Sequence, residues 1–548
     1  MTRKLLRNIF LTILGILVLT IVYAIATYNF VANDAPTAYS VTIQDDDWRT
    51  AYIEAEFVLQ DRILLMGHLT PAQFYGPFVK NLRVTDQNGT ALQVRPCAMW
   101  WVFACNRWKG WEAGRKWLID ARPGDAVTLT YEIAINHETV DGFPGGIDTS
   151  AFVTDWGIFS TGRTLFVMNG QARFPQAAAM LPWLVGRGLP AADSRQNVAV
   201  TFDLPDGWLA TVPWSQSADD AQTYIARDLY DLVESMMFMG KHREVTTRQG
   251  DTEVVWVFAG DEILAEQEQL ARAADSFFNH YTELMGGLPQ TAEGEPFPKV
   301  AVIVTSGPLT DGEVIDRNIA LVFAPGSDIY GFNELDIGTE VLQVSPIHLV
   351  AHEFFHLWNG KTIDSGAEGE WFGEGLTDYQ TIRALHKFGY FDEATCFDFF
   401  REHYRLYVTN SGYGSVSIQE AGENKNTYRG LVYGGGMFVG MVLDLIIRHE
   451  TANQKSIDDL MAALFEQYGG TGELFSTADV QALAEELSGV DLDDFFSRYV
   501  TGTESIPIAK YAPYAGLQAE ISGSQLALAR KPEMTDSERA IYRGIFGP

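Results

Sequence analysis

Cysteine is almost missing from this chain: Cys97, Cys105 and Cys396 are the only three in 548 residues. No residue set near any of them suits the activation of a thiolate, which excludes a cysteine nucleophile. Positive charge is also scarce. Against 71 Asp and Glu stand 39 Lys and Arg, a formal net charge of −32. Such a surface repels phosphate, so nucleic acid is excluded as a partner. It attracts cationic peptides, although a solvated acidic face needs no function. Low-complexity tracts are absent, and 47% apolar content supplies core for two to four folded units.

Histidine is a third rarity, with ten residues, and two of them fall in His352-Glu353-Phe354-Phe355-His356. At this composition the pattern H-[DE]-x-x-H arises by chance about 0.02 times per chain. Residues four apart on a helix lie about 40° apart around its axis, so both imidazoles reach one metal ion. From Pro346 to Trp358 the apolar residues Ile347, Leu349, Val350, Ala351, Phe354, Phe355, Leu357 and Trp358 cover nearly the whole circumference, which predicts a helix buried on most sides. Ser345 is placed to cap it, Pro346 suits the first helical position, and Asn359-Gly360 supplies a stop. Buried without partners, His352, Glu353 and His356 would each cost several kcal/mol. A divalent cation takes both imidazoles and leaves Glu353, about 100° round from His352, for its water. The competing reading is a core helix whose histidines bond to backbone carbonyls. His348 and His356 lie about 12 Å apart along the helix, too far to share an ion, so His348 is expected to bond within its own turn.

A catalytic zinc takes three protein ligands and keeps one position open. Glu374 is the third ligand expected, because it sits inside a helical pattern of Phe372, Leu376, Tyr379, Ile382 and Leu385 that Gly389 would end. Asp364, Glu368 and Glu370 compete for the role but lie in the Gly-containing approach. Asn359 and Asp378 are placed to orient ligands from behind, with an ordinary helix-surface aspartate the plain alternative for Asp378.

The motifs H-E-F-F-H-x-W-N-G and W-F-x-E-G-x-T-x-Y resemble those of glycyl-aminopeptidase-like gluzincins, peptidases with a thermolysin-like catalytic domain. Asp228 to Ser235, Tyr433-Gly434-Gly435-Gly436 and Tyr499 to Tyr511 extend the likeness over most of residues 40 to 515. The resemblance implies that His352, His356 and Glu374 hold one Zn2+ per chain, that Glu353 is the general base, and that Tyr433 steadies the oxyanion. Tyr404, Tyr413 and Tyr428 are rivals of Tyr433, and the three glycines after it are expected to let substrate approach closely. Aminopeptidases among these relatives carry an edge strand whose acid holds the substrate's free amine. The nearest match here is Gly331-Phe332-Asn333-Glu334, which makes Glu334 the candidate and leaves oligopeptidase activity open beside aminopeptidase activity. Many relatives append a PDZ domain, and the residues after Gly516 are too few for one.

Arg3, Lys4 and Arg7 precede an uncharged run from Ile9 to Tyr28, long enough to cross about 30 Å of hydrocarbon. The charge before it favours a membrane anchor with the rest outside the cytoplasm, periplasmic or extracellular. A cleaved signal peptide ending near Ala24-Ile25-Ala26, and hence secretion, is the alternative. Export is compatible with a Cys97–Cys105 disulfide, and Cys396 is expected to be a buried thiol.

The expected fold class is α+β and multidomain. A basic segment (1–8) and the anchor (9–28) precede a β-rich domain (35–221), with Val127 to Ile133 alternating and Gln87-Asn88-Gly89-Thr90 forming a turn. A thermolysin-like α/β catalytic domain with the zinc site follows (222–390), continuing into a helical part (391–515) and a tail (516–548) in which Ala519 to Leu528 forms a hairpin. The function implied is zinc-dependent peptide hydrolysis. The rival is a catalytically inactive relative that binds peptides or partners, and the oligomeric state stays open.

Overall fold

The computed structural model describes residues 36–547 except 60–62, 66–67, 71–72, 75–78, 98–115, 123, 136–146, 148–150, 168–196, 308–309 and 337–340. The anchor segment 9–28 and Cys105, hence the disulfide, lie outside the described residues. The chain divides into two compact units, Met1–His242 and Arg243–Pro548.

The first unit is a β-structure. Seven strands form one sheet in the order Ser215–Gln216, Thr223–Ala226, Val198–Asp203, Pro36–Gln44, Asp47–Val58, Ala126–Ala134 and Val79–Asp86. Alternation sets its inner face. In Ala126–Ala134 the residues Val127, Leu129, Tyr131 and Ile133 are buried, while Thr128, Thr130 and Glu132 are turned toward the other face. A second sheet places Met236–Gly240 between Gly157–Thr161 and Leu209–Thr211. That strand is fully buried, and its pairing carries the first unit to His242 rather than to the expected 221.

The second unit holds a five-stranded sheet in the order Arg243–Gln249, Thr252–Ala259, Lys299–Ser306, Asn318–Phe323 and Asp311–Ile315. Its central strands run parallel and read as nearly continuous apolar runs, as strands covered on both faces do. The helix Asp261–Met285 makes the crossover between the first parallel pair and ends at Gly286, whose φ of 81° closes it. After the sheet come the helices Pro346–His356, Glu370–Lys387, Glu393–Thr409, Gly436–Glu450, Ile457–Tyr468 and Thr477–Ser488. The tail belongs to the same core. It forms the expected hairpin, Leu517–Ser522 with Gln525–Arg530, and a helix, Asp536–Phe546, that buries Ile541, Tyr542, Ile545 and Phe546.

Among the described residues, Leu431–Glu450 is apolar and long enough to span a membrane, but 94% of its apolar window is buried inside the protein. It is a core helix. Asp444 within it is fully buried and accepts hydrogen bonds from Tyr379 Oη (2.8 Å), Arg448 Nε (2.8 Å) and the backbone N–H of Ile457 (2.9 Å). Three helices meet on one carboxylate, and removing it leaves the Arg448 guanidinium buried without a counter-charge. Asp444→Ala is therefore expected to destabilise the unit by about 4 kcal/mol, readable as a lowered midpoint in urea.

Candidate active site

Aromatic packing fixes the helix Pro346–His356. Phe354 stacks on Trp256 (centroids 5.5 Å apart), Phe355 lies 4.7 Å from Tyr281, and Trp358, just beyond the helix, donates from Nε1 to Gly287 O (2.8 Å). Pro346 is at its start as expected, while Ser345 caps it without a side-chain hydrogen bond. The second helix, Glu370–Lys387, crosses Gly436–Glu450 at a point with no space for side chains. A Cβ on Gly375 would stand 2.4 Å from Gly436 Cα, and one on Gly436 would stand 2.1 Å from Trp371 O.

These two constraints bring three ligand-type atoms together. His352 Nε2 and His356 Nε2 are 2.9 Å apart, and each is 3.3 Å from Glu374 Oε2. His352 Nδ1 faces Asp378 Oδ1 (2.8 Å) and His356 Nδ1 faces the Asn359 carbonyl (2.9 Å). Both partners only accept, so both Nδ1 atoms carry protons and, in the neutral rings, both Nε2 atoms present lone pairs. Glu374 Oε2 is buried and accepts no hydrogen bond. Three electron pairs thus converge on one point, an arrangement that requires a cation. Burial opposes charge on His352, yet Asp378 and Glu374 outweigh it and push its pKa up to about 10. A proton or a metal ion meets the need.

The donor set fits zinc. A circle through the three atoms has a radius of about 1.8 Å, which does not exceed the ~2.0–2.2 Å of zinc bonds to nitrogen and oxygen, so one ion reaches all three. His348, His352 and Asp378 form a second cluster of metal-ligand type. There, however, Asp378 Oδ1 already accepts from His352 Nδ1 and from His348 Nε2 (3.1 Å), so those atoms are satisfied without an ion.

The supporting side chains are placed as follows. Asp378 is 1% exposed and its second oxygen accepts from His403 Nε2 (3.0 Å). Burial would raise the Asp378 pKa, but His352 and the other two histidines hold it well below the usual carboxylate range. His348, expected to bond within its own turn, reaches Asp378 on the neighbouring helix instead. The Asn359 side chain donates to Phe372 O, Gly373 O and Thr377 Oγ1 at 3.1–3.2 Å. It thereby ties the turn after His356 to the helix that carries Glu374. Burial likewise disfavours the Glu374 charge, and Lys425 and His356 overcome it. Lys425 Nζ donates to Glu374 Oε1 (2.6 Å) and to Glu370 Oε2 (3.0 Å). Lys425 therefore occupies one oxygen of Glu374 and leaves the other facing the histidines.

Glu353 is buried, and burial pushes its pKa up against the pull of His352 and His356. The strand Asp311–Ile315 passes so close that a Cβ on Gly312 would come within 2.8 Å of Glu353 Cγ. That strand is the outer edge of the five-stranded sheet. Glu334 is on Asn333–Asp336, which among the described residues pairs with Val341–Val344 in a two-stranded ribbon, and its side chain is outside the described residues. The Tyr433 ring is half-buried and lies nearly parallel to His352, 15° between planes with centroids 6.3 Å apart. Its rivals pack away from that ring: Tyr404 and Tyr413 against Tyr407, and Tyr428 against Gly412. The glycines after Tyr433 answer a different need from the one expected. Gly434 meets His403 O, Gly435 meets Ile418 and Tyr407, and Gly436 meets Trp371 O. They let helices touch, and Leu431–Gly435 winds as a π-turn at that contact.

Sequence reasoning missed Lys425, His403 and the Asp311–Ile315 edge. Neither side chain has a motif around it, and the strand is too short and polar to show alternation.

In this α+β chain a buried helix pair focuses two imidazoles and a carboxylate, a group of residues that could hold a metal ion. Residues 345–435, the segment that carries the site, match the family described as M61 glycyl aminopeptidase, which supports a peptidase. Among solved structures, an aminopeptidase N family protein from Idiomarina loihiensis is similar, with a TM-score of 0.65 and 15% identity, over 88% of this chain and 79% of that one. At that identity the likeness concerns the fold. No curated protein matches the chain.

Proposed function

We propose that the chain is a zinc-dependent peptidase, aminopeptidase-like or oligopeptidase in its cut position, working outside the cytoplasm. The observation that carries the reading is the convergence of His352 Nε2, His356 Nε2 and Glu374 Oε2, all three free to bond a cation. A zinc ion held there supplies Lewis acidity, lowering the pKa of water toward ~7 and polarising the scissile carbonyl. The protein's residues do the rest. Glu353, its pKa raised by burial, takes the proton of the attacking water and passes it to the departing amine. Tyr433, whose burial keeps the phenol protonated, donates a hydrogen bond to the oxyanion. An extended peptide adds to the outer strand Asp311–Ile315 by backbone pairing, past Glu353, whose close approach Gly312 allows. The N-terminal run Ile9 to Tyr28 is the basis for placing the activity at an extracytoplasmic membrane face.

The test is hydrolysis of a synthetic peptide library in matched free and N-acetylated forms. Cleavage of the free peptides is the expected result, and equal cleavage of the acetylated forms assigns an oligopeptidase. Intact peptides throughout, from protein that binds zinc, would favour the inactive peptide-binding relative.

A further inference from the structure

Arg429 stands apart from the other cations around the site. Lys425 is taken up by Glu370 and Glu374, whereas Arg429 forms no ion pair and no side-chain hydrogen bond among the described residues; its one contact is with the face of Tyr433, 4.5 Å from Cζ to the ring centroid. It is exposed to solvent. Its backbone is held, because the next residue, Gly430, packs against Leu406 O with no space for a Cβ. The Tyr433 centroid is itself 6.3 Å from that of His352, which bounds the separation of guanidinium and imidazole at about 11 Å, the span of roughly three extended residues.

A guanidinium with its donors unspent is a receptor for a planar anion, and carboxylate matches its fork with two parallel hydrogen bonds. The chain as a whole is strongly anionic and repels such a group, so a carboxylate substrate needs a local cation to enter. We infer that Arg429 binds a carboxylate of the peptide substrate, within about three residues of the bond that is cut, and so sets a preference for substrates that carry one. The inference rests on the peptidase reading above. The carboxylate is either the free C-terminus of a short peptide or an Asp or Glu side chain, and the two are separable.

The experiment uses tri- and tetrapeptides in two matched pairs: C-terminal acid against C-terminal amide, and Glu against Gln at an internal position. The ratio of kcat/KM within each pair is measured for the wild type, Arg429→Gln and Arg429→Lys. The wild type is expected to favour the acid of one pair by at least about tenfold. The pair that shows the preference identifies the source. In Arg429→Gln the ratio falls to about one, and Arg429→Lys restores it in part. A ratio near one in the wild type overturns the inference. So does a ratio unaltered in Arg429→Gln while both members slow together, since Arg429 would then act only on Tyr433. Should the wild type cleave nothing, the peptidase reading fails separately. Calorimetric binding of the same pairs to Glu353→Gln, with and without Arg429→Gln, then decides, and equal affinities for acid and amide in the presence of Arg429 reject carboxylate recognition.

Discussion

Glu353→Gln will lose about a thousandfold or more in peptide hydrolysis while keeping its metal. The substitution preserves the shape of the side chain beside Gly312, where the strand leaves no space to repack, and removes only the capacity to take a proton. Glu353 is not among the three converging ligand atoms, so the donor set of His352, His356 and Glu374 is untouched. The pair of readouts matters. Lost activity together with lost metal would mean that the substitution disturbed the ligands; lost activity with metal retained assigns the base. Activity equal to the wild type would remove Glu353 from the chemistry.

Removing the ion should have a still larger effect. Treatment with a chelator, or Glu374→Ala, is expected to lower hydrolysis by roughly ten-thousandfold, as loss of several kcal/mol of transition-state stabilisation requires. Zinc added back restores the chelated wild type, but not Glu374→Ala. Electrostatics sharpen the second expectation. Lys425 Nζ is 2.6 Å from Glu374 Oε1, and with the carboxylate gone the ammonium remains beside two imidazoles. Only Glu370, 3.0 Å from Nζ, then offsets that charge, and one of the three ligand atoms is lost, so zinc content in Glu374→Ala should fall along with activity. Full activity in metal-free protein would exclude a metallopeptidase.

What the sequence made legible was local. The helix Pro346–His356 announces itself through apolar residues on every side interrupted by His352, Glu353 and His356, and the structure buries the first two and leaves His356 half-buried. The helix Asp261–Met285 and the capping box of Ser456 with Asp459 are equally local, because periodicity and caps are properties of neighbouring residues. The supporting cast depends on tertiary approach. Lys425 meets Glu374 across 51 positions and His403 meets Asp378 across 25; neither has a spacing that a helix or strand would impose. His348 shows the same limit, since its partner lies on the next helix and not in its own turn. The glycines after Tyr433 were conspicuous as a run, yet their reason, helices touching at Trp371 and His403, exists only in the folded unit. The outer strand Asp311–Ile315 stayed hidden because five residues including Gly312 carry no period-two pattern.

Zinc anomalous diffraction, recorded on both sides of the absorption edge from crystals of the purified chain, tests the central claim most directly. The account predicts a single site of anomalous density bonded to His352 Nε2, His356 Nε2 and Glu374 Oε2, at the usual zinc distances of about 2.0–2.2 Å. Density centred on His348 and Asp378 instead, or those three side chains turned away from one another with zinc bound elsewhere, would contradict it.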